Sequence, residues 1–216
     1  MNSRPKKISV SPTLGVNQLA KGLREQGREV FHFGFGQSPF PIPTIVAESL
    51  KSHVHRKEYL EVNGLRSLRA AIARHTNALV EEKYSEEQVF VGPGSKQLIF
   101  SIQRLFSGPL ILPIPSWVSY APQANLWDKR VIWVSPDHHH AKVTASALKK
   151  SFQSESVRDG LLLLNYPNNP TGLSYSNDEL QHIAAICREH GVIVLSDEIY
   201  GLLDFNGGAY KKEERQ

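Results

Sequence analysis

The sequence predicts an α/β fold, a three-layer arrangement in which a mostly parallel open sheet is covered by helices on both faces. Three observations lead there. From Gln88 onward, short runs of continuous apolar character recur: QVFVG, PLILPI, RVIWVS, GLLLLN and VIVLS. Between them lie segments of helical periodicity that begin near Ser95, Trp117, Thr144 and Ser176. Strands that lack polar alternation belong to sheets buried on both sides, and strands that alternate with helices belong to parallel ones.

Taken in order, PTLGVNQLAKGLREQG has a helical pattern, and REVFHFGFG reads as a short strand that breaks into a glycine-rich turn at Gly34 and Gly36. PTIVAESLKSH is a second helix, opened by Pro43. From Gly64 onward, Leu65, Leu68, Ile72 and Leu79 fall on one face of a long helix expected to end near Tyr84. The helix after VGPG carries Leu98, Ile102, Leu105 and Phe106 as its stripe. The last helix is the best marked: Ser176 and Glu179 form a capping box, Leu180, Ile183, Ala184 and Cys187 make the stripe, Arg188 and His190 occupy the final turn, and Gly191 ends it.

With 216 residues, 40% hydrophobic and 21% charged, the composition is that of a globular chain of one large domain or one and a half. The net charge of +4 is spread among acids, as in KGLREQGREV and VEEKYSEE, so no basic stripe for nucleic acid forms. Cys187 is the single cysteine, which excludes an internal disulfide and favours a cytoplasmic location. MNSRPKKISVSPTLG has no apolar run after its charges, and no segment approaches the roughly 20 apolar residues of a membrane span.

In open α/β sheets, ligands bind outside the carboxyl ends of the strands, and four of the five exits are unusual. VGPGSKQLIF runs through Gly92 and Gly94 into a helix start, where close backbone approach and free amides suit an anion such as phosphate; a tight turn needs the same glycines, and Lys96 by itself reads as a surface lysine. Neither phosphate-loop fingerprint is present, which disfavours a nucleotide. Asp197, directly after VIVLS, is either a helix N-cap or a buried carboxylate that needs a partner such as a protonated heterocyclic nitrogen. Trp117 in PSWVSY is either core or a stacking surface for a flat ring, with Tyr120 beside it, and Tyr200 reads as a core or rim aromatic. In NYPNNPTG the turn residues exceed what a turn requires; Pro167 and Gly172 serve chain reversal, and Asn165 and Asn168 brace the loop through their side chains. His138, His139 and His140 read as an exposed loop, and no metal site is expected.

In their order along the chain, these motifs resemble the class I/II aminotransferases, which are fold-type-I pyridoxal-phosphate enzymes. SPTLGVNQLAKGLREQG is similar to the family's N-terminal helix, FGFGQSPFP to its substrate-side glycine turn and YLEVNGLRSLRAAIA to its tyrosine, glycine and Leu-Arg pattern. The resemblance implies an N-terminal arm and small-domain segment over residues 1–45, then a partial cofactor-binding large domain over 46–216. It further implies that Gly94, Ser95 and Lys96 hold the cofactor phosphate, with Tyr59 reaching the phosphate of a neighbouring subunit in a homodimer. By the same resemblance Trp117 stacks on the ring, Asn169 and Tyr200 contact its 3′-oxygen, and Asp197 pairs with the ring nitrogen. Gly36, Trp117 and Asn169 would face the amino acid or 2-oxo acid substrate, and a cis bond is implied between Asn169 and Pro170. Gln37 and Ser38 stand where the family often has an acid and a proline, a departure that bears on substrate preference.

Transamination also needs a lysine that binds the cofactor covalently and moves the α-proton. In the family this lysine follows the DEIY motif in a serine-rich setting, whereas this sequence stops at Gln216 with Lys211 and Lys212 in a charged tail. The expectation is therefore the N-terminal portion of an aminotransferase, without normal turnover by itself. The alternatives are a carbon-sulfur lyase of the same fold, or a non-catalytic cofactor-binding or dimer-partner module. The same topology implies a gap in the sheet between its first strand, near Val89, and its fourth, near Leu162, which would leave the isolated chain poorly stable or dependent on a partner.

Overall fold

A computed structural model describes residues 12–203 apart from 32, 35, 37, 39 and 138–140. Seven α-helices lie among the described residues: α1 (Pro12–Glu25), α2 (Thr44–His53), α3 (Arg66–Leu79), α4 (Ser95–Leu105), α5 (Tyr120–Leu126), α6 (Ala145–Ser154) and α7 (Asn177–Glu189). Four strands, β1 (Leu110–Pro113), β2 (Val131–Val134), β3 (Gly160–Asn165) and β4 (Val192–Asp197), form one parallel sheet in the order β2-β1-β3-β4. The chain divides into two units that meet in sequence between Val62 and Asn63.

In the C-terminal unit, period-two alternation sorts the buried strand residues onto two faces. Leu110, Leu112, Leu161 and Leu163 pack with Ile99 of α4 and with Tyr120 and Ala124 of α5. Ile111, Leu162, Leu164, Ile132 and Val134 pack with Leu148 and Phe152 of α6 and with Ile183 and Cys187 of α7. This is the expected three-layer arrangement. The capping box of α7 is formed, with Glu179 N donating to Ser176 Oγ at 3.3 Å and Ser176 N donating to Glu179 Oε2 at 2.8 Å. Thr144 caps α6 by accepting from Ala147 N at 3.1 Å.

Several expectations are corrected. QVFVG forms no strand: Val89 has extended backbone, but Val91 N bonds the Asn63 carbonyl at 3.0 Å, and apolar composition without a neighbouring ladder makes no sheet. Among the described residues of REVFHFGFG there is likewise no strand, and Phe31 and Phe33 are exposed. The strand of Leu162 borders no gap: it is paired on both sides, with Ile111 and Val194, and the edges of the sheet are β2 and β4.

Helix α3 stops at Leu79, well before Tyr84. It buries Arg69 and Ala73, while Leu65, Leu68 and Ile72 face outward, because the guanidinium finds carbonyl acceptors inside: Arg69 Nε donates to Gly64 O at 3.1 Å and Nη1 to Glu86 O at 2.7 Å. In α4 the buried residues are Ile99 and Gln103, and Leu105 is exposed. Ala184 of α7 is exposed as well. His138, His139 and His140 fall outside the described residues, as do Lys211 and Lys212.

In the N-terminal unit, α1 and α2 are both formed, α2 following Pro43 as expected. Ala20 is its buried apolar residue among those described, and no residue of α2 is buried.

Candidate active site

The candidate site is built where β3 and β4 end and where α4 and α5 begin. Asp197 is the last residue of β4 and is only 7% exposed. Burial without partners would neutralise a carboxylate, so its hydrogen bonds matter. Oδ2 accepts from the Tyr120 hydroxyl at 2.6 Å and Oδ1 from Ile199 N at 3.2 Å. Burial first, then the bond to Asp197 and its charge, push the Tyr120 phenol well above its usual value, so Tyr120 stays a donor.

Asn165 ties the ends of the two strands together. Its Nδ2 donates to the Asp197 carbonyl at 2.8 Å, and its Oδ1 accepts from Asn169 N at 2.7 Å. Asn169 in turn reaches Tyr200, with Nδ2 3.5 Å from the hydroxyl. Asn168 Oδ1 accepts from Thr171 Oγ1 at 3.1 Å, and Gly172 N closes the turn on Asn168 O at 2.7 Å. Gly172 has φ +71°, a left-handed conformation that glycine adopts without cost. The Asn169–Pro170 bond is cis, as the resemblance implied, and so is Tyr166–Pro167.

At the other end of the site, Gly94 precedes α4 with φ +95°; its carbonyl accepts from Gln97 N at 3.2 Å, and it has no side chain to cap the Ser95 and Lys96 amides before that. No acidic residue sits in that first turn. Lys96 extends its ammonium over the Trp117 ring, 5.4 Å from the centroid, and Trp117 meets Tyr120 edge-on at 5.3 Å. A helix start without acidic residues and a buried carboxylate therefore flank one half-buried aromatic ring.

The structure thus links Lys96, Trp117, Tyr120, Asn165, Asn169, Asp197 and Tyr200 through hydrogen bonds and ring contacts, with Gly94 and Ser95 leading into Lys96. Gly36 and Tyr59 belong to the N-terminal unit, where a Cβ at Gly36 would meet nothing and Tyr59 is fully exposed. Sequence reasoning missed two residues. Tyr120 was noted only as a neighbour of Trp117, and Gln123, whose Nε2 donates to the Lys96 carbonyl at 2.9 Å, was not singled out. The signal for both was their i, i+3 spacing just after a strand exit.

A helix start, an aromatic ring and a buried carboxylate gather at the carboxyl ends of a parallel α/β sheet, where ligands of such folds bind. The profile of the family described as aminotransferase class I and II matches residues 28–213. The asparagine–oxo-acid transaminase of Streptococcus mutans is 30% identical, over 97% of this chain and 54% of the relative. The aspartate aminotransferase of Bacillus subtilis is 27% identical, over 93% of this chain and 52% of the relative. Among solved structures, the aspartate aminotransferase of Rhizobium meliloti matches with a TM-score of 0.86 at 25% identity, covering 98% of this chain and 54% of that one. That of Thermus thermophilus with maleate gives 0.85 at 26%, covering 98% and 56%. The chain belongs to the class I and II aminotransferase family, whose members depend on pyridoxal phosphate. It spans about half the length of the curated relatives it matches.

Proposed function

We propose that this chain carries the pyridoxal-phosphate cradle of an aminotransferase that exchanges an amino group between an amino acid and a 2-oxo acid. The observation behind this is Asp197: a carboxylate at a buried strand end, held by Tyr120 and Ile199 N, with its other strand-end partners leading to Asn169 and Tyr200. Two features fit the cofactor. The start of α4, with no acidic residue in its first turn, suits a phosphate, and the Trp117 ring beside Tyr120 suits stacking on a flat ring.

Bound pyridoxal phosphate supplies an electron-withdrawing ring that accepts the electron pair left when an α-proton departs. The chain's own residues do the rest. Asp197 keeps the proton on the ring nitrogen, Asn169 and Tyr200 orient the 3′-oxygen, and Gly94, Ser95 and Lys96 hold the phosphate. Trp117 excludes water from one ring face, and Gly36, Trp117 and Asn169 face the substrate. Tyr59 serves the partner subunit of a homodimer, which its full exposure leaves it free to do. Residues 1–45 act as arm and small-domain segment and 46–216 as the partial cofactor domain, in the cytoplasm. Among the described residues no helix is long and apolar enough to cross a membrane. No lysine of this sequence after Tyr200 stands in the serine-rich setting that the reaction uses, so this chain by itself is proposed to lack normal turnover.

Titration of the 216-residue chain with pyridoxal 5′-phosphate, read by quenching of Trp117 fluorescence in a background lacking the other two tryptophans, is expected to saturate. Asp197→Ala should weaken binding about tenfold or more, the scale of a lost charged contact. Non-saturable binding, or equal affinity of Asp197→Ala, overturns the proposal. Borohydride reduction that labels one defined lysine overturns the part concerning turnover.

A further inference from the structure

We infer that α5 is the spacer that sets the distance between the two poles of the site, the start of α4 and the Asp197 carboxylate, and that Gln123 is a positioning residue within it. The inference rests on the pyridoxal-phosphate reading above and adds a residue that reading does not use.

Tyr120 and Gln123 are three residues apart on α5 and therefore share a face. Both are buried, and each holds a different pole. The Tyr120 hydroxyl donates to Asp197 Oδ2 at 2.6 Å, and Gln123 Nε2 donates to the Lys96 carbonyl at 2.9 Å. Lys96 lies in the first turn of α4, next to Gly94 and Ser95. One short helix is thus fastened to the anion end on one side and to the carboxylate end on the other.

The orientation of Gln123 follows from its partners. A carbonyl only accepts, so the amide NH2 faces Lys96 and Oε1 faces Gln103, whose Nε2 donates to it at 3.1 Å. Gln103 is fully buried, and its own Oε1 has no hydrogen-bond partner. A buried acceptor without a partner is costly, and an apolar residue at 103 would avoid that cost. What the amide at 103 provides is a donor that holds Gln123 Oε1 and so keeps Gln123 Nε2 on the Lys96 carbonyl. That carbonyl also belongs to the α4 ladder, so loss of Gln123 removes a lateral tie and leaves the helix its own bonds.

A ligand with an anionic end and a ring nitrogen must meet both poles at once. The second contact is cheap only if the poles are already correctly spaced. A ligand that touches one pole is indifferent to the spacing. Three non-covalent probes separate these cases: inorganic phosphate for the α4 start, pyridoxine for the ring end, and pyridoxine 5′-phosphate for both.

The test is the Gln103→Met/Gln123→Met double variant of the full chain, which replaces both amides by apolar groups of similar length and also removes the orphaned oxygen. The expected result is a dissociation constant for pyridoxine 5′-phosphate raised about tenfold, with those for phosphate and pyridoxine each within about twofold of wild type. Gln123→Met alone, which has no donor for the carbonyl and adds no charge, should give the same pattern and serves if the double variant does not fold. Unchanged binding of pyridoxine 5′-phosphate overturns the inference while leaving the cofactor reading intact. Equal weakening of all three probes, or failure of both variants to fold, also overturns it, because Gln123 then maintains structure and not spacing. Failure of the wild-type chain to bind pyridoxine 5′-phosphate overturns the cofactor reading and this inference with it.

Discussion

The Tyr120 hydroxyl donates to Asp197 Oδ2 at 2.6 Å across 77 positions of sequence, joining the first residue of α5 to the last of β4. Burial, and then the neighbouring carboxylate, raise the phenol above its ordinary 10.0. A value raised in the folded state gives a contribution that is complete below pH 10 and lost as pH climbs beyond it, where the unfolded chain ionises first. Urea midpoints should therefore fall as pH rises from 10 to 11, and fall less in Tyr120→Phe. Below pH 9 that variant should be less stable by roughly 1.5–3 kcal/mol, the range for a hydrogen bond to a charged group. Parallel pH slopes for the two proteins count against this account.

Asn165 satisfies two backbone groups with one side chain, the Asp197 carbonyl at 2.8 Å and the Asn169 amide at 2.7 Å. Asn165→Leu keeps the volume and leaves both without that partner, at a cost of roughly 2–4 kcal/mol. Chemical denaturation gives the number; a cost near zero would mean that the loop finds other partners.

Arg69 is only 1% exposed and donates to Gly64 O and Glu86 O, so it fastens α3 to the segments on either side of it. Arg69→Leu should cost roughly 1–3 kcal/mol, because it removes the side-chain donor to the Gly64 carbonyl and one of two donors to the Glu86 carbonyl. Arg69→Lys should recover little of this, since one ammonium cannot reproduce the fork of donors. Thermal melts of the two variants compare them directly.

Cys187 is buried on α7, and burial pushes its thiol up to about 11. The thiolate is the reactive form, so iodoacetamide should leave the native chain unlabelled for hours at pH 8 and label it within minutes in denaturant. Fast native labelling would show that the α6/α7 face of the sheet opens readily.

Strand β4 pairs with β3 alone, and Ile193 and Val194 on it are exposed. An uncharged apolar edge invites association, which a lysine discourages. Light scattering of the isolated chain should rise with concentration, and Ile193→Lys should lower it without changing the parallel pairing of β3 with β4. Identical scattering from the two proteins would locate the association elsewhere.

Where local chemistry was sufficient, the sequence was legible. The capping box of Ser176 and Glu179, the bracing role of Asn165 and Asn168 and the four sheet-forming apolar runs all appear where the pattern put them. Lys96, Trp117, Asn169, Asp197 and Tyr200 could be singled out as candidates because they stand near strand exits or helix starts, positions that turn chemistry marks. Tyr120 was not, since an aromatic at a helix start has the same local signature whether it packs or holds a carboxylate.

The sequence by itself determined the conformational preferences, which are the alternation of strand and helix, the caps, the glycine turns and the parallel α/β class. The tertiary structure decided which preferences found partners. VFVG has strand chemistry and no ladder, Leu65, Leu68 and Ile72 face outward while Arg69 found acceptors inside, and the sheet's edges fell to β2 and β4. The same holds for the carboxylate of Asp197, whose hydroxyl donor is 77 residues away and whose surroundings come from two strand ends and a helix. Hydrogen bonds and burial across such distances depend on the whole chain's packing, which no local window of sequence contains.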